Sequence, residues 1–245
     1  MQRYFAKEKK EDELFLYEGD EHHIKNVMRN KINDKIEVVF DKIVYCCNID
    51  SLDPLSLSII SKNIEDKEMN IELTIAVSLV NEQKMDLILQ KLTELGVTRI
   101  IPIKTERSIV KLDENKERKK IMRWQTICKE ASEQSKRTKV PKVENIMSLK
   151  ELSMVDSDVK LICSLTDKTK PLKDYLNKNN KSILFAIGPE GGFTEKEELF
   201  LIDNEFLPVT LGKRVMRVET ATIYVASIIN YVCEVWYYEV CCWFL

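Results

Sequence analysis

A glycine-rich turn directly after an apolar run is the first feature of this sequence that could do chemistry. The run Ser182–Ile187 predicts a buried strand, and Gly-Pro-Glu-Gly-Gly follows it at once, at 188–192. Glycines at the carboxyl end of a strand let main-chain amides and carbonyls approach a ligand closely. The turn has no lysine of a phosphate-binding P-loop, and Glu190 would repel a phosphate. The pattern favours a nucleoside-like or cationic ligand, although a merely tight turn has the same spacing.

A second cluster of polar residues lies at 211–221, between another apolar run and an apolar helical stretch. Because the carboxyl ends of parallel strands meet at one edge of a sheet, this loop and the glycine turn are predicted to lie side by side. Arg214, Arg217 and Glu219 could position a charged substrate there. The same three residues could also form an internal ion pair.

The charge of the chain is unevenly distributed. Overall the net charge is −2, which argues against a uniformly basic nucleic-acid coat protein. Residues 104–142, in contrast, contain 13 basic and 6 acidic side chains. A local basic face is typical of a surface that contacts a phosphate backbone, but a solvated helix face has a similar composition.

Two regions with different patterns must position these residues. Residues 1–70 contain short runs of branched residues, at 36–40, 43–49 and 55–60, which predict strands of a small barrel or sandwich. From residue 71 onward, strands alternate with helices. This alternation predicts an α/β domain over 71–245, with a parallel sheet covered on both faces.

Helix boundaries are signalled by individual residues. Asn81 is a predicted N-cap, Gly96 a predicted stop, and Thr194 with Glu197 a predicted capping box. Further helices are expected over 114–136, near 172–178, over 195–203 and from about 219. The apolar tail at 232–245 predicts a helix buried against the core or a partner, with a membrane contact or a sequence artefact as alternatives.

Composition excludes several classes of site. Seven cysteines, two pairs of them adjacent, fit neither a disulfide framework nor a Cys-x-x-Cys metal knuckle. With His22 and His23 as the only histidines, a histidine-based metal site is not expected. No apolar run follows the N-terminal methionine, so we expect a cytoplasmic protein without a secretory signal.

Over nearly its whole length, the sequence resembles the RsmE family of 16S ribosomal RNA uracil-N3 methyltransferases, members of the SPOUT superfamily. The most specific match joins the Gly-Pro-Glu-Gly-Gly turn to the Leu-Gly…Arg…Glu-Thr-Ala loop at 211–221. Further matching blocks are Lys84-Met85-Asp86 with Gln90-Lys91, 94–97, Glu106-Arg107, 133–135, Arg137 followed by Val140-Pro141, and more weakly His22-His23 with 27–29.

The resemblance implies a fold and an activity. The fold would be a PUA-like β-barrel over 1–70, which binds RNA, followed by a SPOUT-type α/β domain with a trefoil knot over 71–245. The activity would be methylation of N3 of a uridine in the decoding region of 16S rRNA, with S-adenosyl-L-methionine as donor. A homodimer that acts on 16S rRNA or the 30S subunit is also implied, with no metal and no membrane partner.

Roles for individual residues follow from the same resemblance. Arg217 would stabilise negative charge on the uracil, and Glu219 would act as base or orienter. The cofactor would be held by Leu165, Ile187, Gly188, Pro189, Glu190, Gly191, Gly192, Leu211, Gly212, Val215, Met216, Arg217, Thr220 and Ala221. RNA phosphates would be contacted by Arg3, His22, Arg29, Arg107, Lys136 and Arg137.

Two other functions share most of these features. One is a related methyltransferase that acts on another RNA, such as a tRNA ribose 2′-O-methyltransferase. The other is a non-catalytic RNA-binding ribosome-assembly factor. Two substitutions also depart from the usual family pattern, Val218 in place of threonine and Lys42 in place of glycine.

Overall fold

The computed structural model describes residues 1–108, 113–164, 166, 169–177 and 180–241. These residues form two compact units. The first contains Met1–Glu68 and Lys129–Val140, and the second contains Met69–Cys128 and the chain from Pro141 onward. Sequence analysis divides the chain once, at residue 70, whereas the folded chain returns to its first unit at 129–140. Side-chain contacts of Arg3, described below, account for this return.

The first unit is built on a five-stranded sheet in the order β2-β1-β3-β4-β5. Strands β1 and β3 are parallel, and the other neighbouring pairs are antiparallel. A short helix α1 leads into one π-helical turn at His23–Val27. The elements are β1 (Arg3–Lys10), β2 (Glu13–Leu16), α1 (Glu18–His22), β3 (Lys35–Phe40), β4 (Ile43–Leu52) and β5 (Leu55–Ile64).

The three strands predicted in this unit are confirmed, and each is as long as or longer than its apolar run. Strands β1 and β2 were not predicted. Five of the eight residues of β1 are charged, so its sequence does not alternate in the way that marks a half-buried strand. The strand forms because its first three residues are buried, with Tyr4 packed in a cluster that contains Ile36, Val38 and Ile49.

The second unit is mixed α/β with a parallel sheet, as the alternating pattern predicts. Its seven strands are ordered β10-β12-β9-β11-β6-β7-β8, and all neighbouring pairs are parallel. The strands are β6 (Glu72–Ser78), β7 (Arg99–Ile103), β8 (Lys142–Val143), β9 (Val159–Cys163), β10 (Lys170–Pro171), β11 (Ser182–Ile187) and β12 (Phe206–Thr210). The helices are α2 (Glu82–Glu94), α3 (Glu114–Gln134), α4 (Leu149–Ser153), α5 (Glu195–Asp203) and α6 (Val218–Cys241).

Local signals in the sequence set the helix ends of this unit. The side chain of Asn81 accepts a hydrogen bond from the Lys84 amide, which caps α2. Gly96 takes a positive φ of 83° just after that helix. Thr194 and Glu197 form the predicted capping box at the start of α5. The central strands β6 and β11 are buried along nearly their whole length, because helices cover both faces of a parallel sheet.

The helix predicted near 172–178 is wrong in the part that the structure describes. Only one 3₁₀ turn forms, at Leu172–Asp174. Asn177 and Asn180 follow it, and asparagine side chains compete for backbone hydrogen bonds, which disfavours a helix. The predicted C-terminal helix is present as α6. Among the described residues, no helix combines the length and the hydropathy that crossing a membrane requires.

Candidate functional site

Three neighbouring strands of the second unit end at the same edge of its sheet. The order β12-β9-β11 places the carboxyl end of β9 between those of β12 and β11. The strands are parallel, so the loops that follow them emerge together. The glycine turn follows β11 and the 211–217 loop follows β12, and these are the two loops predicted to meet. The structure adds the segment after β9.

The turn after β11 is compact, and its conformation depends on glycine. Gly192 has a φ of +69° and its amide donates a 2.8 Å hydrogen bond to the Pro189 carbonyl. At Gly188, a Cβ would lie 3.0 Å from the Phe193 amide nitrogen and 3.2 Å from the Gly192 carbonyl carbon. Both neighbours are main-chain atoms, so any side chain at 188 would displace the turn.

A cleft of about 620 Å³, including its open mouth, lies between these loops. Its walls contain ten of the residues predicted to hold a cofactor: Ile187, Gly188, Pro189, Glu190, Gly192, Leu211, Gly212, Val215, Met216 and Ala221. Gly191, Arg217 and Thr220 are not part of the wall, and Leu165 lies outside the described residues.

Sequence reasoning missed three residues of the wall, Cys163, Ser164 and Val218, and it named the fourth, Arg214, only as a candidate for positioning substrate. Cys163 ends β9 and Ser164 follows it, and their position at the end of a buried strand was a signal that could have found them. The buried Ser164 hydroxyl donates to the Glu198 carboxylate and accepts a hydrogen bond from the Thr166 amide. Burial, with a smaller contribution from Glu198, raises the pKa of the Cys163 thiol to about 11. The Cys163 thiol therefore adds no charge to the cleft at neutral pH.

The two predicted catalytic residues differ in exposure. Arg217 is exposed at the end of the 211–217 loop, and its guanidinium makes no hydrogen bond or ion pair with any described residue. Glu219 is largely buried in the first turn of α6, where its Oε2 lies 3.5 Å from Lys84 Nζ. The two residues therefore do not form the internal ion pair that the sequence left open, since Glu219 pairs with Lys84 instead.

Arg107 was predicted to contact RNA, but the structure places it against the glycine turn. Its Nη1 donates hydrogen bonds to the Gly191 carbonyl and, at 3.4 Å, to the Phe193 carbonyl. A Cβ at Gly191 would lie 3.2 Å from Arg107 Cδ, so the arginine chain covers that glycine. These contacts hold the main chain of the turn in place.

Two other predicted RNA contacts, Arg3 and Arg137, are buried and paired with carboxylates. The Arg3 guanidinium lies 2.9 Å from both Glu37 and Glu65, and it also donates to the Lys136 carbonyl. Arg137 Nη2 lies 2.6 Å from a Glu68 oxygen. A phosphate cannot reach guanidinium groups in this position, because the protein covers them. Their contacts hold 129–140 in the first unit.

The remaining predicted RNA contacts keep part of their surface. His22 ends α1 and Arg29 follows the π-helical turn with a φ of +54°, and both side chains are exposed. Lys136 is partly exposed, but its Nζ is 3.0 Å from a Glu37 oxygen. Within the described ranges, no three His, Cys, Asp or Glu side chains cluster closely enough to hold a metal ion.

Positive charge along α3 is partly offset by neighbouring carboxylates. In the second unit, Arg123 forms two hydrogen bonds to Asp86, at 2.7 and 2.6 Å. In the first unit, Lys129 lies 2.6 Å from Asp20 and 2.7 Å from Glu133. These ion pairs favour the alternative interpretation of residues 104–142, in which the basic side chains are solvated or paired within the protein. Arg118 and Lys119 stay exposed on the same helix.

Comparison with known proteins agrees with this geometry. Residues 67–230 match the model of a family described as an RNA methyltransferase domain. Ribosomal RNA small subunit methyltransferase E of Bacillus subtilis is 37% identical to this chain, over 96% of the chain and 98% of that protein. The enzyme of the same name from Aquifex aeolicus is 30% identical, over 94% of the chain and 99% of that protein.

Solved structures show the same likeness. Ribosomal RNA small subunit methyltransferase E of Neisseria gonorrhoeae, bound to S-adenosyl methionine, is 32% identical with a TM-score of 0.86, over 95% of this chain and 98% of that one. A putative methyltransferase of Legionella pneumophila, also in complex with this cofactor, is 27% identical with a TM-score of 0.89, over 94% and 97% of the two chains.

Proposed function

The chain belongs to the ribosomal RNA small subunit methyltransferase E family of RNA methyltransferases, and from this premise we propose that it methylates N3 of a uridine in 16S rRNA. The methyl donor is S-adenosyl-L-methionine. One observation carries the proposal: a glycine-rich turn and the 211–217 loop enclose a cleft, and Arg217, which is exposed and has no partner among the described residues, lies beside it.

The residues of the cleft fit this donor. Gly192 and Gly212 have positive φ angles, and a Cβ at either would meet no atom within 4 Å, so both leave open space. Main-chain groups can therefore approach a ligand closely. Ile187, Leu211 and Met216 offer apolar surface to an adenine ring. The Glu190 carboxylate adds negative charge, which suits a sulfonium cation better than a phosphate.

The reaction places two demands on the protein. Bound S-adenosyl-L-methionine supplies an electrophilic methyl carbon, and attack on it is an in-line displacement that depends strongly on positioning. Uracil N3 carries a proton at neutral pH, so this proton must leave and the charge left on the ring oxygens must be stabilised. Arg217 donates to those oxygens, since its guanidinium is exposed and uncommitted.

Glu219 is the proton acceptor or orienter in this proposal. Its Oε2 is shielded from solvent and lies 3.5 Å from Lys84 Nζ, so a charged partner fixes the position of the carboxylate beside the cleft. Replacing Glu219 with glutamine is expected to lower turnover and to change its pH dependence. Full turnover of that variant across the pH range would remove Glu219 from this role.

Two features of the fold are part of the same proposal. The second unit forms a trefoil knot of the SPOUT type, which its likeness to the Neisseria enzyme supports. The first unit is a PUA-like barrel that binds RNA, which is supported by the approach of the end strands β2 and β5. In a trefoil knot, part of the chain passes through a loop of the same chain. An experimental structure in which no such passage occurs between β9 and α6 would contradict the knot.

RNA contacts from the first unit are proposed at His22 and Arg29, the two predicted residues whose side chains are fully exposed. Replacing Arg29 with alanine is expected to weaken rRNA binding and to reduce the salt dependence of log Kd by about one unit of slope. Fluorescence anisotropy with an rRNA fragment over a salt series measures both. Lys62→Ala, an exposed cation on β5, is the matched control. Equal effects of the two variants would contradict a specific role for Arg29.

The contacts of Arg107 predict a cofactor effect in place of an RNA effect. Arg107→Met is expected to weaken S-adenosyl-L-methionine binding about tenfold, because the Gly191 and Phe193 carbonyls lose their donor. Isothermal titration calorimetry measures this affinity, with Arg118→Met as a control of equal charge on α3. Unchanged donor affinity with weaker, less salt-dependent rRNA binding would restore the sequence-based assignment.

The function itself is tested with isotopically labelled donor. Small subunits that lack the modification, and free 16S rRNA, are incubated with the protein, and the labelled nucleoside is identified and mapped. We expect 3-methyluridine at one position of 16S rRNA. A 2′-O-methylated ribose would indicate a different RNA methyltransferase activity, and donor binding without transfer to any RNA would indicate a non-catalytic factor. We expect the protein to act as a cytoplasmic homodimer. Light scattering measures the molar mass in solution and so tests whether the protein is a dimer.

A further inference from the structure

Lys84 occupies a position that helix formation alone does not favour. It lies in the first turn of α2, where the macrodipole is positive and a cation is slightly destabilising. An interaction outside the helix must offset this cost. The ammonium lies 2.7 Å from Glu190 Oε1 and 3.5 Å from Glu219 Oε2.

The two carboxylates come from the two segments whose residues line the cleft, and Glu219 itself stands just outside the lining. Glu190 is part of the glycine turn after β11, which forms one wall. Glu219 lies in the first turn of α6, directly after the loop that forms the other wall. A single ammonium on a third element therefore bridges the two segments. More than a hundred residues separate Lys84 from either carboxylate in the sequence, so the contact exists only in the folded chain.

The bridge is partly shielded from solvent, since Glu190 keeps 37% of its side chain exposed and Glu219 is more deeply placed. The side chains of Lys84 and Glu219 are 25% and 16% exposed, and Oε2 of Glu219 is shielded from solvent. The hydrogen bond from Lys84 also lowers the pKa of Glu190 below its ordinary value. Lys84 is the cation that Glu190 and Glu219 share, so its loss would leave the two carboxylates close together without a counter-charge.

We propose that Lys84 is a positioning residue that holds the two walls of the cleft at the separation that S-adenosyl-L-methionine binding requires. This inference rests on the proposed function, because it names the donor as the ligand of the cleft. Lys84 acts through Glu190 and Glu219 and need not touch the donor. Its loss should therefore affect donor binding first and rRNA binding little.

The test compares Lys84→Met with a matched control on the same helix, Lys91→Met. Lys91 pairs with Glu94 at 2.8 Å, within α2 and away from both walls. Donor Kd by calorimetry, KM for donor and for rRNA, and thermal unfolding of the unliganded protein are measured for both. Lys84→Met is expected to raise donor Kd and donor KM about tenfold or more, with the KM for rRNA unchanged. Lys91→Met is expected to change neither, and the two variants should unfold at similar temperatures.

A double-mutant cycle tests the contact between Lys84 and Glu190 by changing each residue alone and both together. Glu190→Gln should also weaken donor binding, and the variant with both changes should bind no more weakly than the worse single variant, because both changes break one bridge. Lys84→Arg should recover part of the affinity. Wild-type donor affinity in Lys84→Met, or strictly additive losses in the cycle, would overturn the proposal. If the unmodified protein fails to bind the donor, the proposed function fails and this proposal fails with it, whereas donor binding that Lys84→Met leaves unchanged overturns the role of Lys84 alone.

Discussion

Replacing Arg217 with methionine is expected to lower kcat for methyl transfer by about 10²–10³-fold, the usual loss when one donor to a developing oxyanion is removed. The side chain is exposed beside the cleft and uncommitted among the described residues, so it is available to the uracil oxygens. It does not line the cleft, and donor Kd should therefore change by less than about twofold. Single-turnover transfer to rRNA, together with calorimetry for the donor, separates the two quantities.

Lys213→Met is the matched control for this prediction. Lys213 lies in the same loop, is exposed, and is not part of the cleft wall. The control loses the same charge but no contact to the uracil, so its kcat should stay close to that of the unmodified protein. Arg217→Lys should keep part of the activity, because a positive charge without the planar fork still stabilises the oxygens. If kcat falls equally in Arg217→Met and Lys213→Met, Arg217 contributes only to the overall positive electrostatic potential of the loop.

The second large effect is expected at Gly188. Alanine there would place Cβ 3.0 Å from the Phe193 amide nitrogen and 3.1 Å from Phe193 Cδ2. The turn has to shift, since one of these atoms is main chain, and the shift moves the cleft wall that Glu190 belongs to. We expect donor Kd to rise by more than about tenfold, with the fold retained. Calorimetry gives the affinity, and circular dichroism on heating shows whether the fold is retained.

Gly19→Ala is the control for the added methyl group. Gly19 lies in α1 of the first unit, and a Cβ there would meet no atom within 4 Å. An alanine inside a helix also stabilises it by about 0.5–1 kcal/mol relative to glycine. Donor affinity should be unchanged in this variant. Donor affinity of Gly188→Ala equal to that of the unmodified protein would show that the turn tolerates a side chain and does not set the donor site.

The sheet of the second unit and the place of its cleft follow from local patterns. Runs such as Ser182–Ile187 are long enough and apolar enough to predict buried parallel strands, and a turn rich in glycine after one of them marks a ligand site. Caps at Asn81 and Thr194 are equally local, since each involves residues three positions apart. These features need no knowledge of distant contacts.

Roles of charged residues could not be predicted in this way. Arg3 and Arg137 were predicted to contact RNA, yet both are buried against glutamates. Arg107 is exposed, so its RNA contact stays a prediction, and the structure adds a hydrogen bond to the main chain of the glycine turn. A guanidinium can donate to a phosphate, a carboxylate or a carbonyl. The choice depends on which of these the fold brings within about 3 Å.

The amino-acid sequence by itself determined the α/β class of the second unit, the family of the chain and the two loops of the cleft. Each of these depends on patterns of residues that are close together in the chain. Tertiary structure decided that 129–140 joins the first unit, that the end of β9 completes the cleft and that Lys84 pairs with Glu190 and Glu219. Each of these contacts joins residues far apart in the chain, and burial and distance, which govern charge pairing, exist only after folding.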